Sequence, residues 1–123
     1  MEIVLSLAGT RVFIVEDEAL ILFTLEDLLE DLGCKVAGTA QRIPEALAKA
    51  GTVAFDVAIL DVNVAGERVD PVADLVAGRG LPFIFATGYG QESLPESHRD
   101  RIFMPKPYRK ADLRAALSAA LPG

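Results

Sequence analysis

Cysteine occurs once in this sequence, at Cys34, so no disulfide can form within the chain. That agrees with a reducing compartment. Long apolar runs are missing too, and none approaches the roughly 20 residues that a membrane-crossing helix needs. The opening Met1-Glu2-Ile3-Val4-Leu5 has no basic region and is too short for a secretory leader. A cytoplasmic location is therefore the default expectation. There is no basic stripe: 12 Lys and Arg face 18 Asp and Glu, for a formal net charge of −6. Such a balance argues against direct binding of nucleic acid and against an anionic membrane surface. Repeats and low-complexity tracts are absent. No Gly-rich turn follows the first apolar run, which removes the usual nucleotide-phosphate cradle.

What remains is the composition of one ordinary domain. The chain has 123 residues, 51% hydrophobic and 24% charged, enough to bury a core and stay in solution. Residues 1–123 are expected to form a single domain with no output domain after it. The charges are unevenly spread. Eight of the 18 acids lie in the first 31 residues, and six of the 12 basic residues lie after position 98. Most of these charges fit solvated helix faces.

Short apolar runs alternate with amphipathic stretches. Arg11–Val15 reads as a buried strand, β-rich and without alternation. Residues 17–32 read as a helix with Ile21, Leu25, Leu28 and Leu32 on one face, widened by Leu22 and Leu29, and stopped at Gly33. Lys35–Thr39 is a second strand. Arg42–Ala50 is a second helix with Pro44 in its first turn and Gly51 at its end. Val53–Leu60 is a third strand. Asp70–Ala77 is a third helix, with Asp70 as a cap and Pro71 at the first position. Leu81–Thr87 is a fourth strand. Gly88, Gly90 and Pro95 oppose a regular helix over 88–100, so that stretch is expected to be a short or irregular helix or a mobile loop. Arg101–Met104 is a fifth strand, and Arg109–Leu121 a last helix with Leu113, Leu117 and Leu121 inward.

This alternation, with strands apolar throughout, predicts an α/β fold whose parallel sheet is covered by helices on both faces. Right-handed crossovers and five units favour a flavodoxin-like (βα)₅ doubly wound sheet of strand order 2-1-3-4-5 over a closed barrel. Ligands of such sheets bind beyond the carboxyl ends of the strands, at the switch point between the first and third. Those ends carry Glu16-Asp17-Glu18, Asp61-Val62-Asn63, Thr87-Gly88 and Pro105-Lys106-Pro107. Clustered carboxylates repel unless a cation neutralises them. Hard oxygen ligands with no His or Cys beside them suit Mg²⁺, or Mn²⁺, rather than Zn²⁺. Lys106 adds a point charge and Thr87 a hydroxyl donor, completing a cradle for a phosphoryl group. A carboxylate in that cradle could attack phosphorus and form an acyl phosphate. Taken singly, each residue has an ordinary reading as a cap, a surface lysine or a strand threonine; their joint placement at one edge carries the inference.

Ile14-Val15-Glu16-Asp17-Glu18, Ile59-Leu60-Asp61-Val62-Asn63, Ala86-Thr87-Gly88 and Lys106-Pro107 together resemble the response-regulator receiver domain, over essentially the whole chain. Leu81 to Gly90, with Phe85-Ala86-Thr87-Gly88-Tyr89 at its heart, resembles the Phe-Ala-Thr-Gly-Tyr subclass of single-domain regulators. That subclass is associated mainly with α-proteobacteria, atypical sensor kinases and stress circuits. The resemblance implies Asp61 as phosphoacceptor, Asp17 as direct Mg²⁺ ligand, Glu16 as a ligand through water, and Asn63 as donor of its backbone carbonyl. It implies that Lys106 pairs with Asp61 and then with the phosphoryl group, that Thr87 bonds a phosphoryl oxygen, and that the Lys106-Pro107 bond is cis. The sequence departs from the family at Ala65, where a Pro is common, which loosens the expected loop after the third strand. It departs again at Phe103, where a Tyr is frequent, so any aromatic switch there rests on packing. Tyr89 fits either a shield over an aspartyl phosphate or a plain surface tyrosine.

Phe23 lies among Glu26, Asp27 and Glu30, opposite the core stripe, and Leu20 is also off it. Two readings stand side by side: scattered exposed hydrophobes, or a docking contact for a histidine-bearing four-helix partner. His98 reads as a surface residue. The expected function is that of a response regulator in a two-component or phosphorelay system. It takes a phosphoryl group from a histidine kinase or phosphotransfer protein, its downstream partner is open, and it is not a turnover enzyme. The alternative is a phosphorylation-independent adaptor on the same fold. A turnover phosphatase needs a second acid two positions after the nucleophile, where this chain has Asn63.

Overall fold

The computed structural model describes residues 7–122; the Met1–Leu5 stretch discussed above lies outside them. Five strands form one parallel sheet: β1 (Arg11–Val15), β2 (Lys35–Ala40), β3 (Val57–Asp61), β6 (Phe83–Thr87) and β7 (Phe103–Pro105). A two-stranded antiparallel hairpin, β4 (Asn63–Val64) with β5 (Glu67–Arg68), follows β3 directly. The sheet order is β2-β1-β3-β6-β7, which is the flavodoxin-like order 2-1-3-4-5 once the hairpin strands are set aside.

The period-2 geometry of a strand splits its apolar residues between the two faces. Phe13, Val15, Ala58, Leu60, Phe83 and Phe85 pack on one side, under α2 (Ile43–Ala50) and α3 (Asp70–Gly78), where Ala46, Val72 and Val76 are fully buried. Val12, Ile14, Ile59 and Ile84 pack on the other side, under α1 (Ala19–Asp31) and α4 (Lys110–Ala120), against Leu25, Leu29, Leu113 and Leu117. Strands buried on both faces explain why the sequence shows continuous apolar runs and no alternation. Among the described residues no helix is long and apolar enough to cross a membrane.

Several expected boundaries move, each for a local reason. The stripe of α1 is rotated: Leu22, Leu25 and Leu29 are the buried residues, while Ile21, Leu28 and Leu32 are half-buried at its margin. The helix ends in a Schellman turn, with Gly33 at φ 85° and the Cys34 and Gly33 N–H groups donating to the Leu29 and Glu30 carbonyls. Strand β3 starts at Val57, not Val53. The Thr52 and Val53 N–H groups are taken by the Lys49 carbonyl, and Asp56 accepts the Arg11 backbone N–H at 2.8 Å. Asp70 is not the cap of α3; Val69 is, and the Asp70 carboxylate accepts from Arg68 Nε at 3.0 Å. At the far end, Leu121 is half-buried, and Ala116 joins Leu113 and Leu117 in the core.

The loop after β3 is tight where a loosened one was expected. Ala65 and Gly66 both take positive φ, 51° and 82°, the conformation that closes a two-residue hairpin. The 88–100 stretch is irregular as expected: two 3₁₀ turns, Gln91–Ser93 and Glu96–His98, replace a helix.

His98 is a correction. It is buried at 8% exposure; its Nε2 lies 2.8 Å from Asp74 Oδ1 of α3, and its ring meets Phe83 edge-on with centroids 5.4 Å apart. An irregular segment lacks a continuous apolar stripe, so isolated side chains, His98 and Leu94, anchor it to the core.

Candidate functional site

Parallel strands deliver their carboxyl ends to one edge. The chain after β1 brings Glu16 and Asp17, the end of β3 brings Asp61, the end of β6 brings Thr87, and the chain after β7 brings Lys106. Carboxylate oxygens of Glu16, Asp17 and Asp61 all lie within 4.8 Å of one another. Lys106 Nζ donates to Glu16 Oε1 at 2.8 Å and to Asp61 Oδ2 at 3.0 Å. The Lys106-Pro107 peptide is cis, as expected. Lys106 N–H also donates to the Thr87 carbonyl at 2.8 Å, tying the β7 end to β6.

Burial sets the electrostatics. Glu16 is only 2% exposed. Burial, reinforced by the neighbouring Asp61 carboxyl and opposed by Lys106, pushes Glu16 up to about 8. Burial acts to lower Lys106, but its bonds to Glu16 and Asp61 outweigh that and hold it above the ordinary lysine value. One ammonium thus serves two acids in the same pit. Asp17 is placed separately, with Oδ2 accepting the Ala65 backbone N–H at 2.9 Å, so the β4–β5 hairpin fixes its orientation. The Asn63 N–H reaches Asp61 Oδ1 at 3.4 Å. Asp17, Asp61, Asn63, Thr87, Tyr89 and Lys106 line a cavity of about 320 Å³.

The donors suit a hard divalent cation. Three carboxylates gather within a few ångströms and a single ammonium offsets part of their charge. No His or Cys belongs to the group, which disfavours zinc.

The remaining expected residues fall at different distances from the pit. Thr87 is buried at its wall. Its Oγ1 accepts the Tyr89 N–H at 3.1 Å and lies 2.8 Å from Ser93 Oγ. Tyr89 lines the cavity but is 79% exposed. Phe103 is half-buried against the α2–α3 side of the core, away from the acids. Phe23 and Leu20 are exposed on α1, outside the pit. Two residues were missed by sequence reasoning. Tyr108 places a buried hydroxyl with no partner among the described residues, and burial raises it to about 12. Ser93 touches Thr87 from the irregular segment. Neither belongs to a motif, so no pattern in the chain marks them.

A family model described as the response regulator receiver domain matches residues 12–118. The phyllosphere-induced regulator PhyR of Methylorubrum extorquens is 34% identical over 120 residues, covering 92% of this chain and 44% of PhyR. The transcriptional regulatory protein PdtaR of Mycobacterium tuberculosis is 31% identical over 115 residues, covering 90% of this chain and 56% of PdtaR. The chain thus spans about half the length of these curated relatives. SdrG from Sphingomonas melonis Fr1 has a solution structure that matches at a TM-score of 0.81 and 42% identity, covering 91% of this chain and 96% of SdrG. A BeF₃-activated conformation of SdrG matches at 0.79, with 42% identity and cover of 94% and 98%.

Proposed function

The chain belongs to the response-regulator receiver family, and from that premise we propose that it is a phosphoacceptor switch, charged on Asp61 by a histidine kinase or histidine phosphotransfer protein. The observation that carries the reading is Lys106 Nζ bridging Glu16 and Asp61 at 2.8 and 3.0 Å, with Asp17 in the same carboxylate group. An Asp61 oxygen attacks phosphorus, the P–N bond to the donor imidazole breaks, and its electron pair leaves with the imidazole, which takes up a proton. Lys106 moves its charge from the Asp61 carboxylate to the incoming phosphoryl oxygens, and the Thr87 hydroxyl donates to another. Receiver domains generally hold Mg²⁺ in an acidic pocket; here Asp17, Asp61 and the Asn63 carbonyl would ligate it, with Glu16 acting through water. When bound, that ion supplies neutralising charge for the phosphoryl oxygens. The domain assists its own charging and discharge and turns over no separate substrate.

The Phe85–Tyr89 run and the broken 88–100 segment support membership of the Phe-Ala-Thr-Gly-Tyr subclass. On α1, Leu20 (81% exposed) and Phe23 (60%) form the docking contact for the phosphodonor.

The test is intact mass after acetyl phosphate. One phosphoryl group is expected with Mg²⁺, little without it, and none in Asp61→Asn. Equal labelling of Asp61→Asn would refute the assignment. A complete lack of labelling in the unaltered protein would favour the phosphorylation-independent adaptor.

A further inference from the structure

We infer that Ser93 is a positioning residue that holds Thr87 in its resting state and so sets how readily the Asp61 site takes a phosphoryl group. This rests on the phosphoacceptor reading of Asp61.

Each hydroxyl has a single proton to donate. Ser93 Oγ lies 2.6 Å from the Gly90 carbonyl oxygen, which can only accept, so the single Ser93 hydroxyl proton points there. The 2.8 Å contact between Ser93 Oγ and Thr87 Oγ1 also needs a proton, and the only one left is on Thr87. The Tyr89 N–H occupies Thr87 Oγ1 as a donor and leaves that assignment unchanged. The one Thr87 hydroxyl proton is therefore committed to Ser93. Oxygens of a doubly charged phosphoryl group accept hydrogen bonds. Thr87 can serve them only by letting go of Ser93.

Ser93 is fixed where it stands. Arg68, on β5, donates from Nη2 to the Ser93 carbonyl at 3.2 Å while its Nε is held by Asp70. The Ser93 N–H donates to the Gly90 carbonyl at 3.1 Å, and the next residue, Leu94, is 1% exposed in the core. The Thr87–Ser93 bond therefore breaks when Thr87 turns to the phosphoryl group, and its loss opposes activation. Ser93 itself is half-buried, so removing its hydroxyl leaves no large void. A neutral hydrogen bond of ordinary net strength corresponds to roughly a two- to ten-fold change in an equilibrium.

The experiment titrates the full chain, with Mg²⁺ present, against beryllofluoride, a stand-in for the phosphoryl group on Asp61. Ser93→Ala should tighten beryllofluoride binding by roughly two- to ten-fold. Ser93→Thr, which keeps the hydroxyl, should return it to the unaltered value. In a Thr87→Ala background, Ser93→Ala should change the affinity by less than about two-fold, because its effect runs through Thr87. Unchanged or weaker binding in Ser93→Ala overturns the inference. So does an equal gain in the Thr87→Ala background, since a merely structural loosening would act without Thr87. If no variant binds beryllofluoride and Asp61 takes no phosphoryl group, the phosphoacceptor reading fails and this inference falls with it; binding in all variants with no Ser93 effect overturns the inference alone.

Discussion

Glu16 is buried beside the Asp61 carboxyl, and one ammonium only partly offsets the two acids, so the folded protein holds a proton that the unfolded chain would release. Buried Glu16 rises from an ordinary value near 4.5 to about 8. Between those limits the folded state binds more protons than the unfolded state, so stability falls as pH rises through that window and the loss is complete above about 8. In the metal-free protein, urea unfolding should therefore give a stability lower at pH 8.5 than at pH 5.5 by on the order of 2 kcal/mol. Glu16→Gln should flatten that slope, since a neutral amide has nothing to titrate. A flat profile in the unaltered protein, or an unchanged slope in Glu16→Gln, would contradict this account of the buried carboxyl pair. The acids and Lys106 were legible in the chain because they sit immediately beyond apolar strands, where topology alone dictates convergence. Ser93 and Tyr108 were not, because their roles depend on side chains meeting across an irregular segment, and no periodicity encodes such a meeting.

At the scale of elements, the segment between β6 and β7 decides how the site communicates with the rest of the fold. Gly88, Gly90 and Pro95 forbid a regular helix there, as their positions in the chain foretold. What they did not foretell is the anchor. His98 is held by Asp74 and packed edge-on against Phe83, and the Arg101 guanidinium carbon lies over the Phe83 ring, 4.3 Å from its centroid. Without a helical stripe, His98 ties the segment to α3 through Asp74, while Leu94 is buried in the core beside it. His98→Ala removes a buried ring and a hydrogen bond to a carboxylate, and should cost roughly 2–3 kcal/mol in urea unfolding. Amide exchange should accelerate over 91–102 well before the strands open. Exchange rising uniformly across the sheet would show instead that the segment is fastened elsewhere. The hairpin after β3 escaped sequence reading for a related reason. Ala65 carries a positive φ that the chain alone does not advertise, and the carboxylate of Asp17, distant in sequence, accepts its N–H. The rotated α1 stripe was a smaller miss: with seven large apolar residues around that helix, pattern alone leaves the burial axis uncertain by one position.

For the whole molecule, the consequence of convergence is that the site does not exist until the sheet does. Lys106 is 90 residues from Glu16 and 45 from Asp61, and the pit draws on the ends of β1, β3, β6 and β7. A cation that needs Asp17 and Asp61 together binds the folded chain and not the unfolded one. Mg²⁺ should therefore stabilise the entire domain by mass action, by about 2.7 kcal/mol at a concentration one hundred times its dissociation constant. The urea midpoint should climb with Mg²⁺ while the slope of the transition stays constant, because the same surface is exposed on unfolding. Asp17→Asn and Asp61→Asn should each remove most of that climb. The opposite edge of the sheet supplies the control. Arg11 and Asp56 form an exposed ion pair at the start of β1, with side chains 49% and 38% accessible, so Arg11→Ala should cost under about 1 kcal/mol. It should leave the Mg²⁺ increment untouched, as distant independent sites add. An increment that shrinks in Arg11→Ala, or that survives in both carboxylate variants, would mean that the ion acts somewhere other than the pit at the strand ends.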